Sequence, residues 1–295
     1  MLVAELNALF RVSLPDMVYS RRAFFLALLL AIAACHPDFQ VTKFPTHEAL
    51  YRAAMTEYAA GRWDNAVEAL EKLTVDLPAR DTLLPRAHWY LAKTHQQRGE
   101  HVLAAGSFSR LVESFPDDSL SDDAALAAAR EYRVMWRKPT LDPEYGVTAL
   151  ATYNTLLGLY PTSPLIPDAQ KEIAALEEMF AQKEYLTGLF YFRRGGYDPA
   201  MIYFNSVVAK YPNAPTARLA QLRLVDSFNA IKYKPEAVET CASLRLRFPK
   251  DAEVATACSG VASPVDSLKT PPATTGPPAL PKPAKPAKPA TPATP

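Results

Sequence analysis

The sequence predicts an all-α protein, a superhelical solenoid of five helical hairpins with a disordered Pro-rich C-terminal tail. Three observations predict it. Between Lys183 and Pro212 (KEYLTGLFYFRRGGYDPAMIYFNSVVAKYP) small and aromatic residues fall at helical spacing on both sides of a Gly195-Gly196 break, the pattern of two helices packed across a turn. The same pattern returns along the chain at fixed offsets. Strand-like alternation bounded by turn residues is absent, and glycine is scarce at 10 of 295 residues.

The offsets make the repeat explicit. Counted from Gly195, the marks are Tyr197 (+2), Ala200 (+5), Phe204 (+9), Val207 (+12) and Pro212 (+17). Counted from Gly61 they are Trp63, Ala66, Leu70, Leu73 and Pro78, and from Gly99 they are His101, Ala104, Phe108, Leu111 and Pro116. Two degenerate copies are found by counting back, from Pro161 to Leu156, Tyr153 and Ala149, and from Pro249 to Leu244, Cys241 and Ala237. This spacing, small where helices touch and aromatic in the gaps, resembles the tetratricopeptide consensus. One hairpin cannot bury its apolar face alone, so the copies are expected to stack into a right-handed superhelix with a concave groove.

In chain order, residues 1–34 read as an export signal. Arg21 and Arg22 precede the apolar run Ala23 to Ala34, too short to span a bilayer. Glu5, Arg11, Pro15 and Asp16 are foreign to such a segment, which makes Met17 a candidate start. Ile32-Ala33-Ala34-Cys35 resembles a bacterial lipobox, so Cys35 is the expected lipidation site. Acyl chains contribute about 0.8 kcal/mol per buried methylene, and two or three of them anchor a protein stably. His36, in place of the aspartate that retains lipoproteins at the inner membrane, points to the periplasmic face of the outer membrane.

A lipidated tether (35–45) leads to repeats expected at about 46–78, 82–116, 121–161, 168–212 and 214–249, with a short capping helix before residue 260. Thr46 is an N-cap candidate for the first helix, and Pro85 opens the first helix of repeat two. His88, His95 and His101 fall at aromatic positions of the consensus and read as packing residues. In repeat three, Ser121-Asp122-Asp123 reads as a capped start, and RKPTLDPEYG after Trp136 replaces the glycine turn, so an enlarged loop is expected as a tolerated insertion. From Pro167-Asp168 an uninterrupted pattern can run as one helix of roughly 27 residues, expected to brace repeats three and four. Cys241 and Cys258 leave two readings open, a disulfide clamping the cap or buried free thiols, the latter preferred. Residues 261–295 hold Pro, Ala and Lys and no core-forming pattern, and read as an extended disordered spacer.

Composition narrows the function. A net charge of +1 without a basic, aromatic-interleaved patch argues against nucleic acid. No HExxH or paired-Cys motif suggests a metal, and no nucleophile elbow or phosphate-cradling loop suggests catalysis or a cofactor. Asp117-Asp118, Asp122-Asp123 and Glu177-Glu178 sit at helix starts or on solvated faces. The expectation is a binding scaffold rather than an enzyme.

With the lipobox and the five repeats, Tyr160-Pro161-x-Ser163 and the run KEY...GLFYFRRGGYDPA resemble the BamD (YfiO or ComL type) lipoprotein family over about residues 35 to 250. The resemblance implies a non-catalytic lipoprotein of the outer-membrane β-barrel assembly machinery. Its C-terminal repeats would hold the membrane-proximal POTRA domain of a BamA-like barrel protein. Its N-terminal repeats would face unfolded outer-membrane proteins and their C-terminal targeting strand. It further implies that Tyr191, Arg193, Arg194 and Tyr203, around the repeat-four turn, form the POTRA-docking site. Tyr203 stands where family members carry a docking arginine, so Arg194 is expected to supply the charge and Tyr203 a buried anchor. The alternative with the same fold is a periplasmic repeat lipoprotein that organises cell-envelope or peptidoglycan machinery. A carbohydrate-binding lipoprotein would instead want several exposed aromatics in one pocket.

Overall fold

The computed structural model describes residues 39–261; the export signal, Cys35 and the Pro-rich tail lie outside the described residues. After a 3-10 turn at Val41–Lys43 come eleven α-helices: α1 (His47–Ala59), α2 (Trp63–Asp76), α3 (Leu84–Gln97), α4 (His101–Ser114), α5 (Ser121–Met135), α6 (Glu144–Leu159), α7 (Ile166–Phe192), α8 (Tyr197–Lys210), α9 (Pro215–Ala230), α10 (Lys234–Arg247) and α11 (Ala252–Ala257). Five antiparallel hairpins result, the fourth made by the C-terminal part of α7 with α8, and α11 follows the fifth.

Local chemistry sets the boundaries. Gly61, Gly99 and Gly195 stand at φ of 71°, 72° and 75°. The next residue in each turn donates its N–H to the carbonyl five positions back (Arg62 to Glu57, 3.0 Å; Glu100 to His95, 2.9 Å; Gly196 to Tyr191, 3.1 Å). This left-handed closure satisfies the last carbonyls of the helix. In hairpin five the same turn is made by Lys232 at φ 65°, where a side chain costs about 1–2 kcal/mol that glycine does not. At the far end of each hairpin the proline at +17 forbids helical geometry to its predecessor, and Leu77 accordingly turns to ψ 137°. Short polar side chains then start the next helix: Asp81 accepts from the Leu83 N–H (2.8 Å) and Asp118 from that of Leu120 (2.9 Å). Thr46 caps α1 through the Ala49 N–H at 3.2 Å.

The core follows the ruler. At +5, +9 and +12 of all five hairpins (Ala66, Leu70, Leu73; Ala104, Phe108, Leu111; Ala149, Tyr153, Leu156; Ala200, Phe204, Val207; Ala237, Cys241, Leu244) exposure is 0–1%. Burying a large apolar side chain contributes about 1.5–3 kcal/mol, so these positions fix the pairing of helices.

The chain divides into two compact units, one of residues up to Met135 with Tyr145–Ala169, the other of Trp136–Glu144 with Gln170 onward. In the first, Tyr58 meets Trp63 and Tyr90 edge to face at 5.3 and 5.4 Å. Two of the three histidines read as packing residues are in fact polar. Glu131, 3% exposed, accepts from Gln96 Nε2 (2.5 Å) and lies 2.6 Å from His101 Nδ1. His95 Nδ1 lies 2.7 Å from Glu100, and Arg98 joins Glu100 to Asp64. A buried carboxylate needs such donors, and the sequence ruler does not reveal them. His95 is nonetheless as buried as His88, and the His88 ring lies 6.2 Å from Phe115. The helix α5 starts at Ser121 as expected, with Asp122 and Asp123 in its first turn, and the Ser121 hydroxyl donates to the Phe115 carbonyl.

In the second unit the repeat-three loop is tied down rather than a free insertion. Trp136, 2% exposed, packs on Phe180 at 4.5 Å, and Lys183 Nζ donates to the Leu141 carbonyl at 2.8 Å. At the C-terminal end Cys241 and Cys258 form a disulfide, with Cα atoms 5.7 Å apart, which corrects the preference for free thiols. The reason is local: α11 folds back on the wall carrying Cys241, held by Asp251 capping its own helix and by the Arg218 fork on Asp251.

Candidate docking surface

In the fourth hairpin a glycine of one helix packs directly against a ring of the other. Gly188 on α7 has no side chain where the Phe204 ring of α8 lies, and an added Cβ would stand 2.7 Å from Phe204 Cε1. Tyr185 and Phe192 flank that ring at 5.5 and 6.3 Å. The close approach brings the next aromatic layer together. Tyr191 and Tyr203 stack with centroids 5.7 Å apart and planes within 9°. Phe190 meets Tyr191 edge-on at 5.3 Å, and the Arg194 guanidinium lies 3.7 Å above the Phe190 ring.

The four expected site residues are therefore neighbours on one hairpin. Tyr191 and Tyr203 are both half-buried, each covering one face of the other's ring. Arg194 is exposed, and its Nη1 donates to the Phe190 carbonyl at 3.3 Å. It thus caps α7 and also holds a cation against an aromatic face, a contact that favours planar guanidinium over ammonium. Arg193 is exposed beside it. Two residues were missed: Phe190, 50% exposed, and Ile202, 69% exposed. A signal for Ile202 was available. It occupies +7, which the other hairpins fill with Glu68, Gly106, Ala151 and Glu239.

The residues of the KEY motif and of Tyr160-Pro161-x-Ser163 are structural. Lys183 holds the loop, and Glu184 pairs with Lys210 at 2.9 Å. Tyr160 donates to the Pro116 carbonyl at 3.0 Å, and Ser163 donates to Asp122 at 2.7 Å.

The surface is thus an exposed plane of aromatic and aliphatic groups with two cations at its edge. Among the described residues, no helix is long and apolar enough to cross a membrane.

Comparison with known proteins fits this geometry. The profile of YfiO, described as an outer membrane lipoprotein, matches residues 45–244. The outer membrane protein assembly factor BamD of Caulobacter vibrioides is 24% identical over 208 residues, 69% of this chain and 67% of that protein. The BamD of Vibrio cholerae is 25% identical over 212 residues, 68% and 87% of the two chains. That of Xylella fastidiosa strain Temecula1 is 26% identical over 206 residues, 65% and 70%. Among solved structures, the P58(IPK) TPR domain overlaps 72% of this chain and 54% of that chain at 14% identity, with a TM-score of 0.39. With the family profile covering the helical body from before α1 into α10, the chain belongs to the YfiO family of outer membrane lipoproteins.

Proposed function

We propose that this protein is a non-catalytic scaffold of the outer-membrane β-barrel assembly machinery, anchored through acylated Cys35 at the periplasmic face of the outer membrane. The fourth hairpin docks a POTRA domain of a BamA-like barrel protein, and the N-terminal unit faces unfolded outer-membrane proteins. The family assignment supports the setting, since its relatives are named as assembly factors. The observation that carries the docking role is the exposed Phe190–Arg194 pair beside the Tyr191–Tyr203 stack. Aromatic rings and arginine are enriched among the residues that dominate interface energetics, rings because they bring large contact area with few rotatable bonds and arginine because its planar guanidinium stacks and forks hydrogen bonds.

The test is Arg194→Glu in the full chain. Reversing the charge should weaken co-purification with the barrel protein from solubilised outer membrane by about 30-fold, the effect of roughly 2 kcal/mol at an interface hot spot. Helical circular dichroism and melting should stay near wild type, because the side chain is exposed and makes one backbone hydrogen bond. Undiminished recovery of the complex, or loss of the fold, would refute the role given to this turn.

A further inference from the structure

The C-terminal end of the second unit is closed by a helix too short to hold itself. α11 spans six residues, Ala252–Ala257, whereas an isolated helix needs about 12–15 to be even marginally stable in water. It therefore exists only while docked. Its one buried side chain is Val254, and together with Cys258 it covers Leu222 and Val225 of α9 and Cys241 and Leu244 of α10. Polar ties set its two edges. Arg218 holds Asp251 at 2.5 and 2.7 Å and the exposed Glu253 at 2.6 Å. Arg245 Nη2 donates to the carbonyls of Cys258 and Val261 at 2.5 and 3.2 Å. These ties place α11, but the Arg218 pairs are open to water on one side, and pairs of that kind contribute little each.

The firm attachment is the Cys241–Cys258 bridge, which joins residues 17 apart and ties the end of α11 to the middle of α10. The chain has three cysteines. With Cys35 acylated, no other thiol is left to exchange with this bridge, so the pair has two states, joined and open. What lies beneath the helix is apolar. Without it, Leu222, Val225 and Leu244 would face water at the end of a helical repeat array, where a cover is needed. α11 is also half of a hollow of about 440 Å³, with Ala252, Thr256 and Ala257 on its side and Leu219 and Leu222 of α9 opposite.

We propose that the Cys241–Cys258 bridge is a redox latch on α11. Oxidised, it keeps the helix shut over the end of α9 and α10 and the hollow beside it formed. Reduced, it lets the helix lift, so that the hollow loses a wall and the Leu222–Val225–Leu244 face opens. The step is thiol–disulfide exchange with a dithiol. One thiolate of the dithiol attacks a sulfur of the bridge, the S–S bond breaks, and its electron pair leaves on the other cysteine, which takes up a proton. The second thiolate then attacks the mixed disulfide, closing the dithiol into its own disulfide and releasing the other cysteine, which is protonated in turn. Two electrons pass to the protein. Both cysteines are fully buried, so the attack waits for α11 to lift, and the contact that the bridge secures also shields it.

The experiment is native-state hydrogen exchange of the full chain in detergent, before and after dithiothreitol and again after reoxidation with oxidised glutathione. A bridge across this span contributes about a hundredfold to the equilibrium. On reduction the α11 amides, among them Ala255 and Cys258, should exchange faster by about that factor and ahead of those of α9 and α10, and reoxidation should restore their protection. Cys258→Ser should show the fast exchange without reductant and be indifferent to it. Cys241→Ala is the second variant should Cys258→Ser perturb the helical circular dichroism. The proposal is overturned by α11 exchange that reduction leaves unchanged, by equal loss of protection across α9, α10 and α11, or by a loss that reoxidation does not reverse. Those outcomes mean, in turn, that Arg218 and Arg245 hold the helix unaided, that the bridge supports the whole hairpin rather than a cap, and that reduction damages the fold. None depends on the fourth-hairpin docking role, which is read by co-purification.

Discussion

The close approach of α7 and α8 can be tested with one methyl group. In Gly188→Ala, the new Cβ would stand 2.7 and 2.9 Å from Phe204 Cε1 and Cδ1, and 3.2 Å from the Ala200 carbonyl oxygen. Ordinary carbon contacts are about 3.5–4.0 Å, so either the ring turns or the helices part. The ring has little room to turn, since Phe204 is fully buried with Tyr185 and Phe192 against it. Overpacking of this kind costs about 1–3 kcal/mol. Alanine recovers about 1 kcal/mol through helix propensity. One of the short contacts is with backbone, which places the cost in the upper half of its range and the net destabilisation at about 1–2 kcal/mol. Repeat chains need not unfold in one step, so the readout is native-state hydrogen exchange of the α8 amides together with urea denaturation. Phe204→Leu in the same chain should relieve the clash, making the double variant at least about 1 kcal/mol less destabilised than the sum of the single ones. An alanine variant as stable as wild type, or strict additivity, would refute the close packing and the stack built on it.

Three further outcomes are expected. Lys232→Gly should stabilise the fifth hairpin by about 1 kcal/mol, because a left-handed residue loses its side-chain strain; a loss of stability in urea would count against the turn geometry. Unreduced, denatured protein should show no reactive thiol at Cys241 or Cys258, and reduction should release two and lower the stability of the C-terminal hairpin by about 3 kcal/mol for a loop of this length; free thiols at these positions before reduction would contradict the bridge. Burial, and secondarily the Arg110 charge, holds the His88 imidazole below its ordinary value. Stability from that site is therefore complete above about pH 6.5 and falls as pH drops toward the lower folded value, because the unfolded chain then binds more protons. His88→Phe should flatten the denaturation midpoint against pH in this window, and an unchanged slope would rule the assignment out.

What the sequence made legible, and what it hid, follow from the range of the interactions. The hairpins were readable because each is marked by neighbours in sequence: a left-handed turn in all but the third, and in every one a terminal proline and apolar residues at +5, +9 and +12. The contacts that escaped cross longer stretches. Trp136 finds Phe180, Lys183 finds Leu141 and His101 finds Glu131 only after the chain has folded back. Nothing in the spacing of an aromatic or a histidine says which of these it will do. Lys232 hid the fifth turn for a different reason, since tertiary packing of Ala237, Cys241 and Leu244 imposes a backbone that the residue itself disfavours. The disulfide was left open because two cysteines 17 residues apart meet only if α11 turns back, which rests on Arg218 reaching Asp251.

The docking surface is better read from where the repeat is broken in chemistry but not in geometry. At +7 and +8 the other hairpins carry Glu68-Ala69, Gly106-Ser107, Ala151-Thr152 and Glu239-Thr240. The +7 position is exposed in every hairpin. Packing therefore places no demand on it, and an apolar residue there gains nothing from the fold. The fourth hairpin nevertheless carries Ile202-Tyr203, with Ile202 69% exposed. Scattered exposed apolar residues need no explanation, but here Phe190, the Tyr191–Tyr203 stack and Ile202 share one hairpin, which is the pattern on which the proposed docking role rests. The stack of Tyr203 on Tyr191 sits one turn along from the contact of Gly188 with Phe204. Gly188 and Tyr191, three positions apart, lie on one side of α7, so the buried contact with Phe204 and the stack with Tyr203 are made by the same side of that helix.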